Sequence, residues 1–405
     1  MDAAATGTPV SGPRSRDRRA EIARNAGELF SARGFHAVRM EDIAEASGIT
    51  ARALYRHYRN KQALLAHVVR EDQQRLSDTF GALLELPTDD RTLDTSLVTM
   101  TNAALDSRRL SLLWQREARH LDGEDYRLVR QHARSMTRQV GELTIGSNRP
   151  DLDGPVADIR SWVVVSIITG TGLYDSPLSR QRLCADLVAA SKRVTIAPTT
   201  SAEDVDLLDE GPGRNLISRR EQLINSAASA FRDKGFGGVS IDDIGGQLGI
   251  VGPALYRYFD NKAEILVVLV SRFHEWLVLE MTRALRTAAS DESVIVQLVQ
   301  GYVRIALEAT DLLAVALTER LYLPAAVRDR FDRIQADYIA EWQRWMSVAH
   351  PELSDARATT LVHAAKTIID DCVRIPHFRQ YQVFPAELEQ AVLATLDLPT
   401  TSQTV

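Results

Sequence analysis

A short predicted helix early in the sequence carries side chains suited to reading DNA. Arg52 has the guanidinium group that binds guanine through two hydrogen bonds in the major groove, a contact that contributes about 1–3 kcal/mol of discrimination. Its neighbours Ala51 and Ala53 are small enough to let the main chain approach a duplex. Thr50 is predicted to cap the helix, and its hydroxyl could also reach a phosphate. This chemistry is that of sequence-specific base recognition.

Polar side chains around this helix have the reach of phosphate ligands. Tyr55, His57 and Lys61 are predicted to make phosphate contacts, which supply affinity and register rather than sequence. Arg39, in the connector before the preceding helix, could bind phosphate or lie in solvent. The alternative for Tyr55 is packing between helices, and for Tyr58 packing is the role we expect.

The whole stretch occurs twice. Gly48–Lys61 reads GITARALYRHYRNK and Gly249–Lys262 reads GIVGPALYRYFDNK, at a constant offset of 201 residues (249 − 48 and 262 − 61). A repeat of this length and register indicates two copies of one structural unit. The candidate DNA contacts of the second copy are Ser240, Val251, Gly252, Pro253, Tyr256, Tyr258 and Lys262.

The two copies differ at the end that would face the bases. Val251, Gly252 and Pro253 stand where the first copy has Thr50, Ala51 and Arg52. Proline is tolerated at the first position of a helix, because its missing N–H would be unpaired there. It offers no donor to a base, so we predict poorer base readout by the second copy. The DNA site should therefore be asymmetric or imperfectly palindromic.

Three helices position each reading helix. Apolar periodicity predicts helices over 17–33, 41–47 and 50–57, and Asn60 is predicted to cap a long fourth helix that reaches the low 80s. Gly34 suits a helix end that needs a positive φ, and Gly48 suits the turn between helices. Residues 219–262 repeat this helix-turn-helix unit. The predicted cores are Ala26, Phe30, Phe35, Val38, Ile43, Ala44, Ile49, Leu54 and Tyr58, and in the repeat Ala227, Phe231, Phe236, Val239, Ile244, Leu248, Ile250, Leu255 and Phe259.

The remainder of each half is predicted to be helical, without a convincing run of strands. The first half has helical patterns near 91–106, 108–120, 124–145, 155–173 and 178–194, and the second near 291–309, 311–321, 324–348, 354–373 and 385–396. The fold class is therefore all-α. We divide the chain into a flexible tail (1–16), a first helix-turn-helix domain (17–62), a first helical regulatory domain (63–195), a linker (196–217), a second helix-turn-helix domain (218–263), a second helical regulatory domain (264–398) and a tail (399–405).

Composition limits the other functions that the chain could have. A formal net charge of −6 means that DNA must bind a local basic patch. Cys184 and Cys372 lack metal-ligand spacing and are predicted to pack as small apolar residues. The N-terminal segment has no apolar signal-peptide core and the apolar run 162–169 is too short for a bilayer, which predicts a cytoplasmic protein. No nucleotide-binding or zinc motif is found, so we expect neither catalysis nor a cofactor.

Both repeated units resemble the DNA-binding domain of TetR-family repressors. The resemblance rests on Phe30, Gly34-Phe35, Asp42-Ile43-Ala44, Gly48-Ile49-Thr50, Ala53–Tyr58 and Lys61, and on Phe231, Gly235-Phe236, Asp243-Ile244, Gly249-Ile250, Ala254–Phe259 and Lys262. It implies a repressor in which the last two helices of paired subunits form a four-helix interface, here near 155–194 and 354–396. A flexible linker of about 20 residues reaches about 25 Å. One chain would then act as an intramolecular pseudo-dimer, and the alternative is a dimer of chains with four reading helices.

The resemblance also implies a small-molecule effector in the helical domains. The tandem arrangement is similar to double-TetR regulators of actinobacterial mammalian-cell-entry operons, which implies a lipidic or steroidal effector. The candidate pocket residues are Met100, Leu112, Trp114, Arg116 and Tyr126, and Tyr302, Leu313, Leu317, Tyr322 and Trp342. Ordinary core packing is the alternative for each. The alternative function is a protein-interaction module with a TetR fold that no longer binds DNA specifically.

Overall fold

The computed structural model describes residues 13–199, 217–246, 248–250 and 255–399, with side chains from residue 18 onward. The predicted tails up to residue 12 and from residue 400, the linker from residue 200 to 216, and Val251, Gly252 and Pro253 lie outside these ranges.

All regular structure in the described ranges is helical. The first half contains α1 (Pro13–Arg33), α2 (Met40–Ala46), α3 (Ala51–His57), α4 (Lys61–Leu84), α5 (Leu93–Leu105), α6 (Arg109–Leu112), α7 (Gly123–Gly141), α8 (Gly154–Thr169) and α9 (Arg180–Ile196). The second half contains α10 (Arg219–Lys234), α11 (Ile241–Gly246), α12 (Lys262–Thr287), α13 (Val294–Glu308), α14 (Thr310–Thr318), α15 (Ala325–Ala349), α16 (Asp355–Cys372) and α17 (Phe384–Thr395). The predicted all-α fold of two fused units is confirmed. None of the described helices has the length and apolar character needed to cross a membrane.

The first helix-turn-helix unit folds for the local reasons that the sequence predicts. Gly34 and Gly48 have φ of +80° and +64°, a region that side chains with a Cβ rarely occupy. The Asn60 side chain accepts a hydrogen bond from the Ala63 amide at 2.7 Å and so caps α4. The predicted core residues of both units are buried, apart from Ile49, Phe236, Leu248 and Ile250, which are half-buried.

The predicted helix 108–120 is interrupted. α6 gives way to a π-helical turn at Leu113–Glu117 and a 3-10 turn at Ala118–His120. A second π-helical turn, Glu142–Gly146, follows α7. Wide turns of this kind change the direction in which side chains point, and they occur often at functional sites. The first of these turns carries Trp114 and Glu117.

The two halves pack through their last helices. α8 contacts α16 and α17, and α9 contacts α17. Side chains from the apolar runs that the sequence singled out are buried here, among them Val163, Val164, Ile167, Ile368 and Ile369. This is the four-helix arrangement expected from the resemblance, formed here between two halves of one chain.

Reciprocal ion pairs cross this interface. Buried Arg160 of α8 pairs with buried Glu387 of α17, and Arg357 of α16 pairs with Asp186 of α9 at 2.9 Å. Asp186 and Glu387 are 201 residues apart (387 − 186), so they occupy equivalent positions in the two halves. Arg160 also donates to the carbonyls of Ala197 and Pro198 at 2.7 Å, and it thereby holds the start of the linker. The arrangement is that of a two-fold interface, in which each partner supplies the same kind of contact.

Arg160→Ala should reduce the free energy of unfolding by about 3–5 kcal/mol, because it removes one charge of a buried ion pair and the donors to the Ala197 and Pro198 carbonyls. Lys192→Ala is the control, since it removes an exposed pair with Asp94 of 2.8 Å that is expected to contribute less than about 1 kcal/mol. Urea unfolding of both variants measures the difference. Equal losses in the two variants would contradict a special role for the buried pair.

Candidate nucleic-acid interface and the contact between the heads

The reading helix of the first unit has one buried side and one open side. Its Thr50 Oγ1 accepts a hydrogen bond from the Ala53 amide at 3.2 Å, which confirms the predicted N-cap. Leu54 is fully buried, whereas Arg52 is exposed and Tyr55 is half exposed (50%). Within the described ranges the Arg52 guanidinium has no protein partner, so its donors are available to a ligand.

The remaining predicted contacts of this unit lie around the same surface. Ala51, Ala53 and His57 are half-buried, and Arg39 is exposed beside the start of α2. The Arg39 amide donates to the Asp42 carboxylate at 2.8 Å, which leaves the guanidinium directed to solvent. Tyr58 is only 3% exposed, which confirms its packing role.

Lys61 and Lys262 have a structural role that the sequence did not predict. The Lys61 ammonium donates to the Phe35 and Val38 carbonyls at 2.6 and 2.7 Å. Lys262 donates to the Phe236 and Val239 carbonyls, both at 2.7 Å. Each lysine therefore ties the connector that follows the first helix of its unit. An ammonium group has three donors, so one remains for the predicted phosphate contact.

The second unit keeps the scaffold of the first. Ser240 and Asp243 form a reciprocal cap at the start of α11, with the Asp243 amide 3.1 Å from the Ser240 hydroxyl and the Ser240 amide 2.8 Å from the Asp243 carboxylate. Tyr256 and Tyr258 are 56% and 38% exposed. Ser240 therefore serves as a helix cap, whereas its counterpart Arg39 is exposed and forms no ion pair with the residues that the structure describes.

The two units also differ in charge. Residues 17–62 contain nine basic and six acidic side chains, whereas residues 218–263 contain six basic and five acidic ones. The formal excess is thus +3 (9 − 6) against +1 (6 − 5) in a chain of net charge −6. Since attraction to phosphate scales with local positive charge, the first unit is the better suited of the two to hold DNA.

We call residues 18–62 the first head and residues 218–263 the second head. Both heads are attached to the helical body by the same device. The Phe35 amide donates to the buried Glu117 carboxylate at 2.9 Å, and the Phe236 amide donates to Glu319 at 2.9 Å. The aromatic ring three residues after each glutamate stacks on the phenylalanine whose amide that glutamate accepts. The ring centroids of His120 and Phe35 are 5.2 Å apart, and those of Tyr322 and Phe236 are 5.4 Å apart. The sequence carries a signal for both attachments, because a glutamate is followed three residues later by an aromatic ring in each half.

The heads also touch each other. The ring of His36 lies 4.4 Å from that of His120, and a Cβ on Gly237 would come within 2.7 Å of the His36 ring. Arg119 crosses from the first half to form an ion pair with Glu319 and donates to the Thr318 hydroxyl at 2.7 Å. We call this set of residues the head contact. It fixes the position of one head relative to the other.

Burial controls the charge of the head contact. Desolvation, supported by the nearby cations Arg119 and Lys61 and by His36, lowers the pKa of His120 to about 3. Desolvation likewise raises the pKa of the Glu117 carboxyl. His120 is therefore neutral at neutral pH and packs as an aromatic ring.

The predicted effector residues do not form one pocket. Met100, Tyr302, Leu313 and Trp342 are fully buried core residues and Leu112 is half-buried. Arg116 donates to the Ser31 carbonyl of α1, and Tyr322 stacks on Phe236 of the second head. Leu317 lines a small void of about 20 Å³ in the second half. Trp114 and Tyr126 line a cleft of about 680 Å³ between the halves.

Comparison with known proteins finds similarity to bacterial regulators in parts of the chain. The pattern of the bacterial regulatory proteins of the tetR family matches residues 22–68 and 223–269, one match in each head. The HTH-type transcriptional repressor KstR2 of Rhodococcus jostii (strain RHA1) is 33% identical over 108 residues, which are 26% of this chain and 52% of that protein. KstR2 of Mycolicibacterium smegmatis is 29% identical over 143 residues, 34% of this chain and 70% of that protein. The chain thus matches about half the length of the first relative.

Two solved structures are also similar to part of the chain. A TetR-family transcriptional regulator from Bordetella parapertussis 12822 covers 47% of this chain and 99% of its own length, at 21% identity and a TM-score of 0.41. The ketosteroid transcriptional regulator KstR2 of Mycobacterium tuberculosis covers 44% of this chain and 95% of its own length, at 18% identity and a TM-score of 0.36.

Stability should fall as the pH drops from 7 to 5. A neutral His120 has a folded pKa near 3 against an ordinary value of 6.5, so in this window the unfolded chain binds the proton and the folded chain does not. The loss due to this residue should be on the order of 2 kcal/mol. His120→Phe keeps the ring and should reduce the pH dependence of the urea midpoint, and the remainder comes from other histidines whose pKa is lowered by burial, such as His363. Tyr322→Phe, at the equivalent place, is the control and should not change it. A His120→Phe slope equal to that of the wild type would contradict the assignment.

Proposed function

We propose that this chain is a sequence-specific transcriptional repressor of the tetR family, because both of its heads match that family's DNA-binding domain. The proposal rests on the solvent-exposed side of α3. Arg52 and Tyr55 are exposed there without a protein partner in the described ranges, on a head with a net positive charge. Repression would result from excluding the transcription machinery from the operator. Relatives that bear the name repressor support this reading.

We further propose that one chain reads one operator with both heads. The reciprocal ion pairs of the four-helix interface, and the contacts of Gly237 with His36 and of Arg119 with Glu319 between the halves, support an intramolecular pair. The linker supplies a high effective concentration of each half for the other, so pairing does not depend on protein concentration.

The two half-sites should be unequal. Arg52 offers a bidentate donor to guanine, whereas Pro253 at the equivalent position offers none. The first head also has the larger positive excess, so it should contribute more of the phosphate affinity. We therefore propose an asymmetric or imperfectly palindromic operator.

A small molecule bound between the helices would release the operator by changing the spacing of the heads. Such an effector must bind the two spacings with different affinities. A lipidic or steroidal effector, and target genes concerned with lipid import, are proposed from the resemblance of the tandem arrangement alone.

The first test is a fluorescence titration of the full chain with DNA from upstream of its own gene, at two salt concentrations. We expect specific binding that weakens steeply with salt, since lysine and arginine displace counterions from phosphate. Arg52→Ala should weaken binding by about 1–3 kcal/mol and change the footprint of one half-site only. Arg330→Ala, which removes an exposed charge on α15, is the matched control.

Two outcomes would contradict this proposal. Binding without sequence preference at either salt concentration would favour the alternative of a protein-interaction module with the same fold. Equal losses at both half-sites in Arg52→Ala would contradict the unequal heads while leaving the repressor function intact.

The second test is sedimentation of the chain alone and on its operator. We expect a monomer in solution and one chain per operator, because the four-helix interface is already filled within the chain. Two chains per operator would indicate four reading helices and would contradict the pseudo-dimer. A DNA carrying only the stronger half-site should bind more weakly with the same one-to-one stoichiometry.

A further inference from the structure

The cleft between the halves has the dimensions of a ligand site. Its volume of about 680 Å³ lies within the usual range of about 300–1,000 Å³ for small-molecule sites. The void in the second half, about 20 Å³, holds roughly one water molecule. The cleft is bounded by the Leu113–His120 turns, α7 and α8 of the first half and by α14 and the segment after α16 of the second.

One part of the cleft wall is apolar and aromatic. Trp114 and Trp162 are half-buried and Tyr126 is partly exposed, and all three line the cleft together with Val165 and Ile375. Aromatic side chains of this kind cover the apolar body of a ligand with a large contact area.

The rest of the wall is basic. Arg130, Arg134 and Arg379 line the cleft and make no ion pair with a carboxylate in the described part of the chain. The lining acids are already engaged: Asp233 pairs with Arg232 at 2.9 Å and Asp371 pairs with Arg374 at 3.1 Å. An excess of guanidinium groups that have no carboxylate partner attracts an anion.

We propose that this cleft binds an amphipathic organic anion, with the apolar body against Trp114, Tyr126 and Trp162 and the carboxylate or phosphoryl group on Arg134 and Arg379. The site is composite, since Ile375 and Arg379 of the second half complete walls that are otherwise formed by the first half. It therefore differs from a pocket enclosed within the helices of one half.

The position of the cleft connects its occupant to both heads, and this step rests on the proposed function. The turns that carry Trp114 also carry Arg116 and Glu117, which hold the first head through Ser31 and Phe35. Arg232, at the end of α10 in the second head, lines the cleft and pairs with Asp311. A bound anion would compete with Asp311 for Arg232 and would move the turns that carry Arg116 and Glu117, and so alter the separation of the heads.

The test uses the full chain without DNA and follows tryptophan fluorescence or heat of binding. The probes are 2-naphthoate and dodecanoate, each compared with its neutral counterpart, 2-naphthol and dodecanol. We expect at least one anion to bind about tenfold or more tightly than its neutral counterpart, as charged hydrogen bonds predict. Arg134→Ala and Arg379→Ala should each weaken its binding by roughly tenfold.

Arg138→Ala is the matched control, because Arg138 is an exposed arginine one turn further along α7 that does not line the cleft. It should bind the anion as the wild type does, and unchanged melting temperatures would show that all three variants fold. Equal binding of the neutral probes, equal losses in Arg134→Ala and Arg138→Ala, or no anion binding at millimolar concentration would each overturn the site.

A second measurement separates the site from its regulatory role. Addition of the tight anion should weaken operator binding in the wild type and not in Arg134→Ala. Arginine-dependent binding that leaves DNA affinity unchanged would confirm the site and overturn its control of the heads. Failure of the chain to bind DNA would contradict the proposed function and leave the direct binding result valid.

Discussion

The buried pair between Arg160 and Glu387 is the constraint on which the rest of the structure depends. It lies inside the interface between the halves, and the same arginine holds the first residues of the linker. A buried arginine that satisfies a carboxylate and two carbonyls tolerates little displacement, because each lost contact leaves a desolvated charge. The register of the two halves, and with it the relative position of the two heads, follows from this pair and its counterpart between Arg357 and Asp186.

The heads are attached to that fixed body by polar contacts that are costly to break. Glu117 and Glu319 accept the amides of Phe35 and Phe236, groups that would otherwise be buried without a partner. The two attachments differ in the stacked ring, His120 in one half and Tyr322 in the other, and in the ion pair that Glu319 forms with Arg119 of the first half. The helical body and the attachments of the heads are therefore nearly two-fold symmetric. The largest differences between the halves lie in the reading helices of the two heads.

Local features could be predicted from the sequence, and long-range polar contacts could not. Helix periods, the caps Thr50 and Asn60 and the turn at Gly48 depend on residues a few positions apart, so the pattern indicates them directly. The Phe35–Glu117 and Arg160–Glu387 contacts join residues 82 and 227 positions apart. The predicted effector residues do not lie in one pocket for the same reason. The positions of aromatic residues in the sequence do not reveal which helix faces the other half.

Fusion of two units in one chain removes a restriction that applies to a homodimer. In a homodimer every substitution appears in both subunits, so both reading helices must keep the same side chains. Here Arg52 in the first head and Pro253 in the second can differ while the lysine ties, glycine turns and glutamate attachments stay the same. The same freedom allows one composite cleft to gain Arg134 and Arg379 without a duplicate elsewhere. The covalent link between the halves thus allows both the unequal heads and the composite basic cleft.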